Sequence, residues 1–129
     1  MIENGQTYKC GTCGNMVTVV EVGGGELVCC SQPMKLMPIQ KEGDKAAKHV
    51  PIIENDGSAV LVKVGELQHP MDEDHYIASI SLQVGDKTFI KNLEPGELPE
   101  AKFIVDEKDL ADNDIVAREF CTLHGIWES

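Results

Sequence analysis

The stretch Cys121-Thr-Leu-His124 separates a thiol from an imidazole by two residues, directly after a strand-like run. A thiolate binds soft or borderline metals and an imidazole suits iron, zinc, copper or nickel, so a C-x-x-H pair can hold two positions on one ion. The chain has only three further histidines, His49, His69 and His75, all in a central region where loop signals interrupt hydrophobic runs. A histidine taken singly is more often a surface or hydrogen-bonded residue than a ligand. Here His49 abuts an extended Val-Pro run, His69 precedes a proline and His75 opens a strand. The whole histidine supply can therefore converge with Cys121 on a single metal.

The other four cysteines fall in the first 30 residues, as Cys10-Gly-Thr-Cys13 and Cys29-Cys30. The N-terminal Met-Ile-Glu-Asn-Gly has neither the basic start nor the apolar core of an export signal, so the expected location is the cytoplasm. In that setting cysteines read as ligands rather than as disulfides. Four thiolates favour zinc or iron in tetrahedral geometry, and a structural zinc knuckle is the plain alternative to a redox centre. Neighbouring side chains in a strand point to opposite faces. Use of both Cys29 and Cys30 thus requires a backbone twist and a distorted tetrahedron.

The elements that must position these groups divide near residue 38. Residues 1–37 form a small unit in which Met16 to Val22 reads as a strand, Gly23-Gly-Gly25 as a turn, and Glu26 to Cys30 as the returning strand of a hairpin that joins the two cysteine pairs. Such a unit has little core, so a bound metal would supply folding free energy. Residues 38–48 are polar and without hydrophobic period. From His49 onward the pattern is β-rich: a run at 50–54, a turn at Asn55-Asp-Gly57, and alternation that puts Val60, Val62 and Val64 on one face. Tyr76 to Val84 alternates with Tyr76, Ala78, Ile80, Leu82 and Val84 on one side. Further strands are expected at 87–91, 102–105 and 115–120, with the acidic stretch 106–114 as a solvated loop or helical turn. Six to eight short strands in residues 38–129 predict an antiparallel sandwich or barrel.

Composition narrows the chemistry. The 129 residues are 42% hydrophobic and 26% charged, with a formal net charge of −11. Nucleic acid and anionic membrane surfaces are poor partners for such a chain, because both demand clustered Lys and Arg. No apolar run approaches the roughly 20 residues that span a bilayer. A small anionic substrate would be repelled at long range and would need a local cation, which singles out Lys48 beside His49.

Tyr8-Lys-Cys-Gly-Thr-Cys-Gly-Asn15, Glu26-Leu-Val-Cys-Cys30, Met34-Lys-Leu-Met37, Lys48-His-Val-Pro51, His69-Pro-Met71, His75-Tyr76 and Val116-Ala-Arg-Glu-Phe-Cys-Thr-Leu-His-Gly125 follow one another in this chain. In these pieces and their order it resembles the two-iron superoxide reductases called desulfoferrodoxins over nearly its whole length. The resemblance implies a mainly β protein: a desulforedoxin-like domain at 1–37, then an immunoglobulin-like β-sandwich at 38–129. It implies one rubredoxin-like iron on Cys10, Cys13, Cys29 and Cys30. A second iron is implied on His49, His69, His75 and His124 in a plane, with Cys121 as axial thiolate and the sixth position open. It further implies one-electron reduction of superoxide to hydrogen peroxide, Lys48 as the residue that attracts the anion and positions a proton-donating water, rubredoxin or a similar small protein as electron donor, and a homodimer.

One departure stands out. The family commonly has glutamate immediately before the lysine, closing over the oxidised iron, and this chain has Ala47. Alanine cannot bind iron, so the oxidised site is expected to be open, to hold water or hydroxide, or to use a substitute ligand from elsewhere. Three other readings compete: an electron carrier, which needs no open position; a zinc module with incidental histidines, which would be colourless; and a superoxide dismutase, against which the axial thiolate argues.

Overall fold

The computed structural model describes residues 2–129, which divide into two compact units, 2–38 and Ile39–Ser129. In the first, β1 (Thr7–Lys9), β2 (Met16–Thr18), β3 (Val28–Cys29), β4 (Gln32–Pro33) and β5 (Lys35–Leu36) are two or three residues long. They form a sheet in the order β2-β1-β5 and a separate β3-β4 hairpin. The Cys10-Gly-Thr-Cys13 knuckle is itself the turn between β1 and β2, closed by Cys10 N donating to Asn15 O at 2.8 Å and Gly14 N to Cys10 O at 3.1 Å.

This differs from the expected pairing of Met16–Val22 with Glu26–Cys30. β2 pairs with β1, Tyr8 opposite Val17, and the ladder runs only as far as Val19, which bonds Gln6 and Gly5. The knuckle, held by its own backbone hydrogen bonds, sets residues 16–19 against β1 instead. Gly24 and Gly25, at φ 95° and 78°, then carry the chain to a different partner, and β3 pairs with β4. Between them lies a two-residue turn, Cys30-Ser31, with φ 53° and 61°, both left-handed as a type I′ turn requires. This turn provides the twist that adjacent cysteine ligands need.

The second unit carries β6 (Ile39–Gln40), α1 (Ala46–His49), β7 (Pro51–Asn55), β8 (Ala59–Val64), β9 (Ile77–Val84), β10 (Lys87–Asn92), β11 (Glu100–Ile104), α2 (Glu107–Asp112), β12 (Ile115–Cys121) and β13 (Gly125–Glu128). One sheet runs β10-β9-β12-β13-β6 and the other β11-β8-β7. The apolar residues of both inner faces share one core: Val60, Val62 and Val64 of β8 and Phe103 of β11 meet Ile80, Leu82 and Val84 of β9 and Ala117 of β12. Full burial of a side chain of this kind contributes about 1.5–3 kcal/mol.

Three local features depart from expectation, and all of them touch the ligands. The inward face of β9 contains Ile77, fully buried, rather than Tyr76 and Ala78. The register with β12 explains it: Phe120 pairs with Ser79 but Cys121 with Ile77, so Ala78 is an extra residue that inverts the alternation. Second, Ala46–His49 is a short helix, although residues 38–48 show no hydrophobic period. Third, a strand follows the C-x-x-H stretch, and β12 and β13 form a hairpin in which Cys121 pairs with Gly125.

Candidate metal centres

Cys121 ends β12 and His124 lies in the following turn, so one hairpin presents both groups at the same end of the sheet. Gln40 Nε2 and Trp127 Nε1 both donate to the His124 carbonyl, at 2.7 and 3.1 Å, and pin the turn. His49 closes α1, where its Nδ1 donates to Lys45 O at 2.8 Å, leaving Nε2 as the lone pair. His69 is oriented likewise by Nδ1 donating to Pro70 O at 2.6 Å. Its backbone is tied to β8 by His69 N to Val64 O at 3.0 Å. His75 is presented by a small loop in which Asp72 and His75 exchange backbone hydrogen bonds of 3.0 and 3.1 Å. The next residue is bound to the Cys121–His124 turn, Thr122 N donating to Tyr76 O at 3.0 Å.

These elements bring all five predicted residues together: one donor atom each from His49, His69, His75, Cys121 and His124, all within 4.8 Å of one another. In the order 49, 69, 75, 124 each imidazole touches the next, with centroids 4.6, 4.7, 5.1 and 4.9 Å apart around a closed cycle. Interplanar angles of 78°, 85°, 81° and 86° set each ring nearly perpendicular to its neighbours. Cys121 lies beside the cycle, its Sγ 3.4 Å from His69 Nε2 and 3.8 Å from His124 Nδ1.

The donor set fits a cation on three grounds. His49 Nε2 lies 3.1 Å from His69 Nε2 and 3.1 Å from His124 Nδ1. Two nitrogens at right angles around one metal, each at about 2.1 Å, would be about 3.0 Å apart. Because the Nδ1 protons of His49 and His69 are given to carbonyls, their facing Nε2 lone pairs repel unless a positive charge lies between them. Finally, His75 Nε2 is buried without a hydrogen-bond partner. Burial keeps His49, His69 and His124 neutral, as ligands must be: it lowers the pKa of His69 to about 4 and is the main cause of the lowering at His49 and His124. The Cys121 thiol is pushed up by burial against the pull of the Leu123 and His124 backbone N–H groups, so a metal would have to displace its proton.

The four histidines line a cleft of about 370 Å³ with Asp44, Lys45, Ala47, Lys48, Leu67 and Pro70, while Cys121 is fully buried and lies outside that lining. The imidazoles thus face an entry route and the thiol backs them. Ala47 and Lys48 both border the cleft, and no carboxylate among the described residues joins the five donors.

Sequence reasoning missed several contributors. Lys45 orients His49 and borders the cleft. Trp127 lies against His49, centroids 5.0 Å apart at 30°. Gly65 lets the chain pass α1, since a Cβ there would meet Ala47 O, Lys48 C and Val50 O at 3.0 Å each. Glu119, two residues before Cys121 on the same inward face, is 2% exposed with neither carboxyl oxygen bonded. Burial raises its pKa to about 9, so it is protonated at neutral pH. Its alternation with Cys121 along the strand was the available signal.

The second donor set lies in the first unit. Cys10, Cys13, Cys29 and Cys30 also have donor atoms within 4.8 Å of one another. Sulfurs 3.5 Å apart for Cys13 and Cys29 and 4.0 Å for Cys29 and Cys30 bracket the roughly 3.8 Å edge of a tetrahedron with 2.3 Å metal–sulfur bonds. The N–H groups of Cys13 and Thr12 point at Cys10 Sγ, both at 3.4 Å, and hold its pKa down at about 6. Crowding by the Cys13, Cys29 and Cys10 sulfurs pushes Cys30 up to about 12, so four thiolates coexist only around a cation.

Comparison with known proteins agrees with this geometry. A family model described as Desulfoferrodoxin matches residues 41–129, and one described as Desulfoferrodoxin, N-terminal domain, matches residues 2–37. A desulfoferrodoxin homolog of Archaeoglobus fulgidus is 46% identical over 129 residues, covering 100% of this chain and 99% of the relative. A desulfoferrodoxin of Desulfarculus baarsii is 46% identical over 129 residues, covering 100% and 98%. Among solved structures, the superoxide reductase from Treponema pallidum superposes with a TM-score of 0.76 at 31% identity, covering 96% of this chain and 95% of that one.

Proposed function

The chain belongs to the desulfoferrodoxin family, and we propose that it is a superoxide reductase that converts superoxide to hydrogen peroxide in its histidine-rich centre. The observation that carries this reading is the closed cycle of four imidazoles, backed by a buried thiol and facing a cleft. His49, His69, His75, His124 and Cys121 hold one iron, and Cys10, Cys13, Cys29 and Cys30 hold another. When bound, iron(II) in the first set supplies the single electron that superoxide takes up, with two protons, on its way to hydrogen peroxide.

The protein's own residues determine how that electron is used. The hydrogen bonds from Nδ1 of His49 and His69 to backbone carbonyls fix the tautomers, so both rings present lone pairs without reorganising. Cys121, buried on the closed side, would as a thiolate ligand donate electron density to a bound metal and favour giving an electron over taking one. Lys48, at the cleft, attracts the anion and holds a water that delivers a proton. Ala47 leaves the entrance clear, because its methyl group cannot cap the metal.

Three further assignments belong to the same reading. The electron donor is rubredoxin or a similar small carrier. The chain acts as a homodimer, in keeping with the exposure of Val17, Val28 and Leu36 on the first unit. Its place of action is the cytoplasm; among the described residues no helix is long and apolar enough to cross a membrane.

Metal analysis followed by rapid kinetics tests the function. The expected result is two irons per chain and a second-order reaction of the reduced protein with superoxide that yields peroxide without oxygen. One zinc per chain with no reaction would overturn the reading.

A further inference from the structure

The four cysteines of the first unit differ in reach. Cys10 is 1% exposed and its Sγ is already engaged, receiving the Thr12 and Cys13 N–H groups at 3.4 Å each. Cys13 and Cys30 are exposed, and Cys29 is half-buried. Cys13 also borders an open cleft of about 470 Å³, which Cys29 and Cys30 do not line. Of the four sulfurs, that of Cys13 is thus both exposed and set beside a space that a small solute can enter.

Its partner is equally well defined. Cys13 Sγ lies 3.5 Å from Cys29 Sγ, nearer than the 4.0 Å between Cys29 and Cys30. One residue holds the pair together: Asn15 donates its backbone N–H to Cys13 Sγ at 3.5 Å and its side-chain Nδ2 to Cys29 Sγ at 3.8 Å. Cys29 and Cys30 are poor mates for each other. Neighbouring Cα atoms are about 3.8 Å apart, below the roughly 4.4–6.8 Å that a relaxed disulfide spans.

We propose that Cys13 and Cys29 are a peroxide-sensitive thiol pair, which the product of the superoxide reaction converts to a disulfide. The proposal rests on the superoxide reductase reading, which supplies the oxidant, and adds a modification site in the first unit. Bound to a metal, both sulfurs are thiolates, the form that attacks peroxide. Cys13 Sγ attacks one oxygen, the O–O bond breaks, and the hydroxide that leaves takes a proton from solvent. Cys13 is then a sulfenic acid. Cys29 Sγ attacks that sulfur, an S–S bond replaces the S–O bond, and the second hydroxide is protonated to water. Each sulfur has lost one electron, and hydrogen peroxide has become two waters. Cys10 and Cys30 alone do not make a four-thiolate site, so the first unit gives up its metal and keeps a cross-link in its place.

The two-iron full chain tests this by stepwise addition of hydrogen peroxide, quenching by alkylation of free thiols in mild acid, and peptide mapping by mass spectrometry. The expected result is a Cys13–Cys29 linkage with Cys10 and Cys30 alkylated, growing in step with the fading of the visible absorption of the four-cysteine centre. Dithiothreitol with ferrous iron should restore that absorption. A linkage between any other pair, sulfinic or sulfonic acids without a linkage, or fading with all four thiols free would overturn the proposal. During turnover with superoxide the same linkage should form, and catalase should prevent it. Its persistence with catalase would overturn the role given to peroxide. Superoxide consumed without peroxide would refute the reductase reading, while added peroxide still tests the thiol pair by itself.

Discussion

The two metal-binding units reach their donor sets from opposite directions. In the first, strands of two or three residues surround four cysteines, and among the described residues Thr7 and Cys10 are the buried side chains, while Val20 is 87% exposed. In the second, two sheets enclose a continuous core that extends to Cys121 itself, and the ligands project from its end. The first unit is organised around its ligands, whereas the second has a core of its own from which the ligands project. A centre of the first kind tolerates little loss of metal. A centre of the second kind can leave one side open, as reaction with a small oxidant requires.

Removing metal is the strongest way to break this contrast. Structural metals supply about 10–16 kcal/mol of apparent folding free energy in small cysteine modules. Cys10→Ser should unfold the first unit, seen as loss of amide dispersion for residues 2–37 and rapid proteolysis there. The second unit should keep its dispersion and its iron. Loss of both together would mean that the units do not differ as described.

Leu82→Ala works in the other direction. Leu82 is fully buried on β9, and its truncation should cost the second unit about 2–5 kcal/mol. The shift is measured as a lower denaturant midpoint by the fluorescence of Trp127, with the visible absorption of the four-cysteine centre unaffected before that transition.

Gly65→Ala probes the link between fold and site. The new methyl group would press on the backbone of α1 and Val50 at 3.0 Å, which costs about 1–3 kcal/mol and displaces His49. Weaker iron retention in the second unit alone is the expected readout, by metal analysis after dialysis against a chelator.

The smallest expected effect is the pH response of Glu128 on β13. Burial pushes its pKa up, but Arg118 at 2.7 Å and Lys41 at 3.1 Å outweigh this and hold it below the usual 4.5. A carboxyl with a depressed folded-state pKa stabilises above about pH 4.5 and loses that contribution as the pH falls through its folded value. Glu128→Gln should therefore be less stable than the wild type at pH 7, with the gap closing in thermal melts as the pH falls below about 4.5.

The legibility of the chain follows the same division. The strands of the sandwich could be read because Val60, Val62 and Val64, or Ile80, Leu82 and Val84, alternate against one core. Period failed at Ala78, because a bulge depends on the partner strand and leaves no mark in local sequence. In the first unit β-branched residues 16–22 promised a strand, and competition between two possible partners cut it short. The nine metal-donor candidates were visible as rare residue types at telling spacings. The orienting groups were not: Lys45 acts on His49 through its backbone carbonyl, which spacing does not reveal, and Glu119 left only its alternation with Cys121 as a sign.

The most direct test of the central claim is a single turnover of the fully reduced protein with substoichiometric superoxide, with each iron followed by its own absorption and peroxide counted. The account predicts that the iron in the second unit oxidises first and yields one peroxide per superoxide consumed, and that Cys13→Ser leaves this step unchanged. Oxidation that begins at the four-cysteine iron, or a step abolished by Cys13→Ser in protein that keeps its second iron, would contradict it.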